Sequence, residues 1–134
     1  MTDVALEDLI RARFDSQWAD ETDIAWPNAN FTPDNNSEWV RFWVGTGDAY
    51  NASFGAVGKN IERAVGVVTI SIFVPLNTGT ARVNALVDKA KAAFRHYTVG
   101  TLRFSQPPAK RVIGSGDTHF QVNVVAPYEY DTFI

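Results

Sequence analysis

Three residue types that serve nucleophilic catalysis, Ser115, Asp117 and His119, lie close together near the end of the chain. In a serine hydrolase such groups act as nucleophile, orienting acid and general base, and they must meet in a fixed geometry. Strand alternation can place Asp117 and His119 on one side, but Ser115 falls in a predicted turn. Such close sequence neighbours rarely reach triad geometry. We favour a polar turn with an exposed histidine, and we predict no catalytic residue.

Neither the glycines nor the histidines match a cofactor or metal motif. Gly45-Thr46-Gly47 begins like a dinucleotide fingerprint, but Tyr50 stands where the third glycine belongs. Gly58-Lys59 is followed by asparagine, where a P-loop needs serine or threonine. The chain has no cysteine, and His96 and His119 lack ligand-type spacing. We predict no cofactor and no metal site.

The stretch 63–97 predicts the centre of the fold, a strand, a turn and a helix. Residues 63–74 are rich in β-branched side chains and apolar on both alternating faces, which is typical of a central strand. Pro75 has no amide hydrogen for a ladder, so the strand should end there. The next apolar residues recur every three or four positions, which predicts an amphipathic helix that Gly100 terminates. Its stripe comprises Val83, Leu86, Val87, Ala90, Phe94 and Tyr97.

Two elements are predicted before this centre. A first helix runs from Thr2 or Asp3 to about Trp18, because apolar residues again recur at helical spacing. A strand over 39–44 alternates between two faces, with Val40, Phe42 and Val44 on one and Trp39, Arg41 and Trp43 on the other. The first face should meet the helices. The second is either a partner surface or an ordinary second core layer in which Arg41 stacks on indole.

Residues 45–62 predict a long loop between strands, because they contain four glycines. Loops longer than about 12–15 residues without structure of their own are usually functional or disordered. Tyr50 and Phe54 would be exposed on it. Such a loop either orders against a partner or is a floppy hairpin tip.

The last third of the chain predicts further strands. One covers 101–105, and a hairpin joins 110–113 to 118–126 through a glycine-rich turn. We expect Pro127 to end the long strand and the aromatic tail 128–134 to dock on the fold. The fold class is therefore α+β: a twisted, mostly antiparallel β-sheet with two α-helices packed on one face. Residues 1–134 should form a single domain.

Composition and charge restrict the function classes. The acidic N-terminus lacks the basic flank of a signal peptide and no segment is apolar enough to cross a membrane, so we expect a soluble protein of the cytoplasm. The net charge of −3 argues weakly against a nucleic-acid binder. Residues 1–62 carry a net charge of −7 and residues 63–134 carry +4. The two halves either neutralise each other within the fold or give the molecule an acidic and a basic side suited to head-to-tail association in a ring.

Several segments resemble a known family. Residues 67–80, a strand and its turn, with Ala85–Ala90 and Phe94 on the helix that follows, are similar to the phage tail-terminator-like proteins of long-tailed phages and prophages. Trp26-Pro27-Asn28, Phe31-Thr32-Pro33 and Trp39-Val40-Arg41 are similar to that family as well. The length and the N-terminal helix agree, so the resemblance covers nearly the whole chain.

The resemblance implies a structural protein without cofactor or reaction. It implies a ring of identical subunits, usually six, that caps the tail tube, stops its polymerisation and offers a surface to the head-proximal connector. The implied partners are the chain itself, the tail tube protein and the connector protein, with no membrane and no required nucleic-acid contact. The protein would reside in the bacterial cytoplasm during assembly and then in the virion tail.

Two alternatives remain open at this point. A neck or head–tail connector protein would bind near the portal without limiting tube length, and a small-molecule-binding module or enzyme would use the uncovered face of the sheet. The family supplies no fixed interface motif. From the residues alone, basic side chains on the second helix form either its solvated face or a subunit contact. The predicted assembly-interface residues are Trp43, Tyr50, Phe54, Lys89, Lys91 and Arg95.

Overall fold

The computed structural model describes residues 3–34, 36–53, 55 and 59–134. These residues form two helices and seven strands, in the order α1 (Asp3–Trp18), β1 (Asp23–Ala25), β2 (Trp39–Asn51), β3 (Ile61–Pro75), α2 (Ala81–Phe94), β4 (Thr98–Val99), β5 (Leu102–Arg103), β6 (Ala109–Ser115) and β7 (His119–Phe133). The possible cap Thr2 lies outside the described residues.

The strands form one mixed, curled sheet whose central order is β1-β2-β3-β7. β1 pairs with β2 in parallel, and the remaining pairs are antiparallel. The outer edge of β7 pairs with β6 near its start and with β5 near its end. The predicted α+β class with a mostly antiparallel sheet is confirmed.

Both helices cover the same face of the sheet, here called the helix face. The buried side chains of this face come from alternating positions of the three long strands: Val40, Phe42, Val68, Ile70, Ile72, Val74, Val122, Val124 and Ala126. The intervening positions form the opposite, open face. The predicted division of β2 into a helix face and a second face is confirmed, with Val40 and Phe42 buried on the first. On the second, Arg41 and Trp43 are exposed, whereas Trp39 is buried and stacks on Phe73.

An aromatic cluster joins the two helices to the sheet. The Phe14 ring of α1 lies 5.2 Å from Trp18, 5.0 Å from Phe42 and 6.3 Å from Phe94, measured between ring centroids. All four side chains are fully buried. Because large apolar side chains contribute about 1.5–3 kcal/mol each on burial, this cluster fixes both helices on β2 and the start of the sheet.

The predicted loop over residues 45–62 is wrong in extent. β2 continues through Gly45 to Asn51 and β3 begins at Ile61, so strand pairing occupies much of this stretch. The ladder has a register shift between Thr46 and Ala49, which is a β-bulge or a similar irregularity. Glycines weaken a strand, but here Gly45 still pairs with Val67 of β3. Phe54 and Gly58 lie outside the described residues.

The expectation that Pro127 ends the last strand is also wrong, because β7 runs on to Phe133. Pro127 faces Val67 of β3, while on the outer edge of β7 pairing with β6 stops at Val125 and pairing with β5 resumes at Glu129. Proline therefore occupies a position with no neighbouring strand on that side, where a missing amide hydrogen costs no ladder bond. The aromatic tail docks as predicted, as part of the strand.

The second helix ends earlier than predicted. It stops at Phe94, and His96 adopts φ 57, the left-handed conformation that commonly follows a helix. Gly100, with the same φ of 57, lies instead in the turn between β4 and β5. Tyr97 is thus beyond the helix, although it still packs against the core.

Candidate assembly surfaces

The structure does not bring Ser115, Asp117 and His119 together as a triad. His119 is buried, and its Nε2 lies 2.8 Å from the carbonyl oxygen of Ser37 while its Nδ1 lies 2.8 Å from Oγ1 of Thr118. A carbonyl only accepts, so Nε2 carries the proton. Both ring nitrogens are therefore occupied, and the prediction of an exposed histidine is wrong.

His119 instead anchors the connection between β1 and β2. Asp34 accepts hydrogen bonds from the amide of Asn36 and the hydroxyl of Ser37, and these donors hold the pKa of its carboxyl below the usual range. The resulting turn presents the Ser37 carbonyl to His119. Among the described residues, no group of three or more histidine and acidic side chains could hold a metal ion.

The open face carries exposed apolar side chains near the tip of the β2–β3 hairpin, where the two strands are connected. The ladder registers place Trp43, Tyr50, Val65 and Phe133 on this face, where between 38% and 61% of each residue's surface is exposed. The last six residues of β2 are exposed as well. Isolated exposed apolar residues are ordinary, but several on one sheet face are typical of a protein contact surface.

An ion-pair network crosses this part of the open face. Asp131 of β7 accepts two hydrogen bonds from Arg63 of β3, at 2.8 and 3.1 Å, and lies 3.5 Å from Arg103 of β5. Arg103 also donates to Glu129 at 2.8 Å. The hydrogen bonds from Arg63 are the main cause that lowers the pKa of Asp131, and the same bonds, with a smaller effect from Tyr50, raise the pKa of Arg63. The network holds three strands together beneath the exposed aromatics.

A tyrosine fastens the same strands from the helix face. Tyr128 of β7 lies over Gly66 of β3 and donates its hydroxyl to the carbonyl oxygen of Gly45 in β2, at 3.0 Å. A Cβ added to Gly66 would collide with the Tyr128 ring tip and with the Gly45 oxygen. Glycine is thus required here for close approach, and the distal hairpin is held on both of its faces.

The basic residues predicted on α2 lie on the helix layer and not on the open face. Lys89 is engaged within the chain, since its Nζ lies 3.6 Å from Glu21 and 5.8 Å from the Trp18 ring centroid. Lys91 is half-buried and Arg95 is exposed just after the helix. The structure therefore brings Trp43 and Tyr50 onto one face and places the three basic residues elsewhere, while Phe54 lies outside the described residues.

Sequence reasoning missed one exposed surface, the outer edge of β6. Val112 and Ile113 are 60% and 57% exposed there. A signal was present in the sequence: the strand follows Pro107-Pro108 and carries Lys110 and Arg111 near its start, which are features of an edge strand.

A cleft of about 320 Å³ opens where the β1–β2 connection crosses the edge of the open face. It is lined mainly by aromatic and proline side chains, among them Trp26, Phe31 and Trp39, with Arg41 as its cation. The Nε1 of Trp39 is buried and has no hydrogen-bond partner in the described part of the chain. Apart from Arg41 and Asn28, few polar side chains line the cleft. The cleft therefore lacks the several convergent polar groups that orient a small substrate.

Comparison with known proteins identifies the family. The family model described as phage tail terminator protein matches residues 5–128. The chain belongs to this family. Sixteen chains among the solved structures match, and one of them has a TM-score of 0.68 and 23% sequence identity over 96% of this chain and 97% of its own length. That likeness is one of fold. No curated protein matches.

Membership of this family makes the protein a structural component of phage tails. Within the described residues, no helix is both long and apolar enough to span a membrane.

Proposed function

We propose that this protein caps the end of a completed phage tail tube as a ring of identical subunits. The ring stops polymerisation of the tail tube protein and offers its other side to the head-proximal connector. Assembly takes place in the bacterial cytoplasm and the ring stays in the virion tail. The observation that carries this proposal is the tail terminator family match over residues 5–128.

The open face supports a role in binding a protein partner. Trp43 and Tyr50 expose more than half of their surface on a hairpin fastened by Tyr128 and by the Arg63–Asp131 pair. Aromatic side chains held on a rigid support lose little conformational entropy on binding, which is why they are frequent at interface hot spots. We assign the tube contact to this face. Phe54, Lys89, Lys91 and Arg95 stay candidates for other contacts of the assembly.

The test is tail length measured by negative-stain electron microscopy, in lysates of the source phage or prophage with the gene intact, deleted or supplied in trans. Deletion should give overlong tubes of uneven length, and the wild-type protein should restore uniform tails. A Trp43→Ala/Tyr50→Ala double variant should fold but fail to restore them. Thr98→Ala is the control, because Thr98 is exposed on β4, at the far end of the strand order from β2 and outside α1.

Two other outcomes would contradict the proposal. Tails of normal length that fail to join heads in the deletion strain would make the protein a neck or head–tail connector. Unaffected particles would remove the protein from tail assembly altogether.

A further inference from the structure

We propose that neighbouring copies meet head to tail, with the free edge of β6 in one copy seated on the outer surface of α1 and Trp26 in the next. This inference rests on the ring of the proposed function and assigns the surfaces that close it. The first surface, the β6 edge, comprises Lys110, Arg111, Val112 and Ile113. The second, the α1 groove, comprises Asp8, Arg11, Ala12, Asp15 and Trp26.

The β6 edge is an exposed apolar and basic surface. β6 pairs with β7 on one side, and no described strand pairs with its other side. Val112 and Ile113 are more than half exposed. Lys110 and Arg111 make hydrogen bonds, to Asn84 and to a backbone carbonyl, but neither forms an ion pair with an acid of the described chain. Their charges remain available to an acidic partner.

The α1 groove has the opposite charge. Asp8, Arg11, Ala12 and Asp15 are spaced as one helical stripe, and with Trp26 they line a shallow groove of about 350 Å³. Arg11 stacks on Trp26, with its Cζ 4.5 Å from the ring centroid. The two carboxylates are exposed and form no ion pair within the described chain. The two carboxylates are seven positions apart, which is roughly 10 Å along a helix, and the small Ala12 lies between them.

The two surfaces lie on opposite sides of the subunit. α1 packs over the β1 and β2 side of the sheet, where Phe14 contacts Trp26 and Phe42, whereas β6 lies beyond β7 at the other edge. A ring closed by rotation requires two different, complementary patches placed in this way. Val112 or Ile113 over Ala12, with cations facing Asp8 and Asp15, gives an apolar centre with a charged rim, as in other protein interfaces.

A symmetric contact between two β6 edges is disfavoured by the same residues. The register of β6 shifts between Val112 and Gly114, leaving Ile113 unpaired in the ladder, and such a bulge interrupts edge-to-edge pairing. Edge-to-edge pairing would also bring Lys110 and Arg111 close to the same residues of the second copy. Like charges therefore oppose that arrangement.

Cysteine cross-linking tests the contact. Only the introduced cysteines can react, because the chain has no cysteine of its own. Ala12→Cys and Val112→Cys proteins are prepared separately, mixed and treated with a short bismaleimide. We expect cross-linked dimers in the mixture and not in either protein alone, and a ladder up to the ring size for the double variant. Val112→Cys with Ala92→Cys, on the exposed side of α2, is the matched control and should give no ladder. Dimers formed by Val112→Cys alone would replace the inference with the symmetric edge contact.

The same variants, expressed from the source phage or prophage, separate this inference from the proposed function. Tails of normal length without the cross-link would overturn the α1–β6 contact and leave termination intact. If deleting the gene leaves tails unchanged, termination fails. Cross-linking of the concentrated purified protein then decides the contact by itself.

Charge reversal gives a second, independent readout. Arg111→Glu should weaken self-association about fivefold to tenfold, as expected when a rim ion pair becomes a repulsion. Asp15→Arg in the same chain should restore most of it. If self-association is weakened equally in the single and double variants, the proposed pairing of Arg111 with Asp15 is contradicted.

Discussion

Replacing Gly66 by alanine should destabilise the fold, because β3 has no space for a methyl group there. The added Cβ would meet the carbonyl oxygen of Gly45 and the Cζ and Oη atoms of Tyr128. The Gly45 oxygen belongs to a paired backbone, and Tyr128 is only 3% exposed, so neither can move aside freely. Either the hydroxyl bond from Tyr128 breaks or the β2–β3 ladder shifts.

The magnitude follows from three opposing effects. Overpacking a well-filled site costs about 1–3 kcal/mol. Losing the bond from Tyr128 to Gly45 adds about 0.5–1.5 kcal/mol. Alanine returns about 0.4–1 kcal/mol, because it restricts the unfolded chain more than glycine does. The Gly66→Ala protein should therefore be less stable by roughly 0.5–4 kcal/mol.

Thermal and urea unfolding followed by circular dichroism measure this change. For a domain of this size, each kcal/mol lowers Tm by about 3–5 °C. Gly116→Ala is the matched control, since the nearest atom to a Cβ there is the His119 oxygen at 3.5 Å, an ordinary contact. In a Tyr128→Leu background the penalty of Gly66→Ala should shrink by about 1 kcal/mol, because part of the collision is gone. A Gly66→Ala protein that melts within a degree of Gly116→Ala would refute the argument.

Three further predictions test other parts of the fold. Phe14→Ala should cost about 3–5 kcal/mol in urea unfolding, since it empties the fully buried aromatic cluster. The pKa of Asp131 is lowered in the folded state. The ionised carboxyl of Asp131 therefore stabilises the fold at pH values above its ordinary pKa of 3.8, and this stabilisation is lost as the pH falls towards the lowered pKa. Asp131→Asn, which leaves Arg63 without this partner, should therefore lower Tm at pH 7 and flatten its fall below about pH 4, and parallel profiles would contradict this. His119→Leu should lose about 1–3 kcal/mol by leaving the Ser37 carbonyl unpaired, and an unchanged Tm would show that solvent replaces the bond.

Local periodicity made the helices and the central strands predictable from sequence. The stripe Leu6, Ile10, Phe14 and Trp18 marks the buried side of α1, and all four residues lie in the core. The alternation of β2 likewise placed Phe42 on the helix face. Patterns of this kind depend on neighbours within one element, so a single sequence carries them.

The errors arose where a distant segment decides the local structure. Gly45 and Gly47 indicate a loop until β2 and β3 are known to pair across this stretch. Pro127 reads as a strand end unless the gap between β5 and β6 is known. His119 looks solvated because its partner, the Ser37 carbonyl, lies 82 positions earlier in the chain. Tertiary context overrides propensity at such positions.

The candidate surfaces were only partly predictable for the same reason. Tyr50 is exposed as predicted, and Trp43, whose face was left open between a partner surface and a core layer, is exposed too, but the chain gave no sign that the two share the open face. Lys89 appeared equivalent to Lys91 and Arg95 until the structure placed Glu21 beside it. The outer edge of β6 depended on a strand order that a single sequence does not contain.

The charge asymmetry between the two halves of the chain agrees in part with the first interpretation considered for it, neutralisation within the fold, while an acidic and a basic side suited to a ring stay a prediction. Part of it is neutralised inside the fold, where Arg82 pairs with Glu21 and Glu38 and Lys89 pairs with Glu21. The charges without an ion pair in the described chain include the carboxylates Asp8 and Asp15 on α1 and the cations Lys110 and Arg111 on β6. Internal pairing therefore engages Arg82 and Lys89 of α2, while the proposed contact between copies would pair the α1 carboxylates with the β6 cations. Under that proposal, a small net charge is compatible with directional attraction between copies.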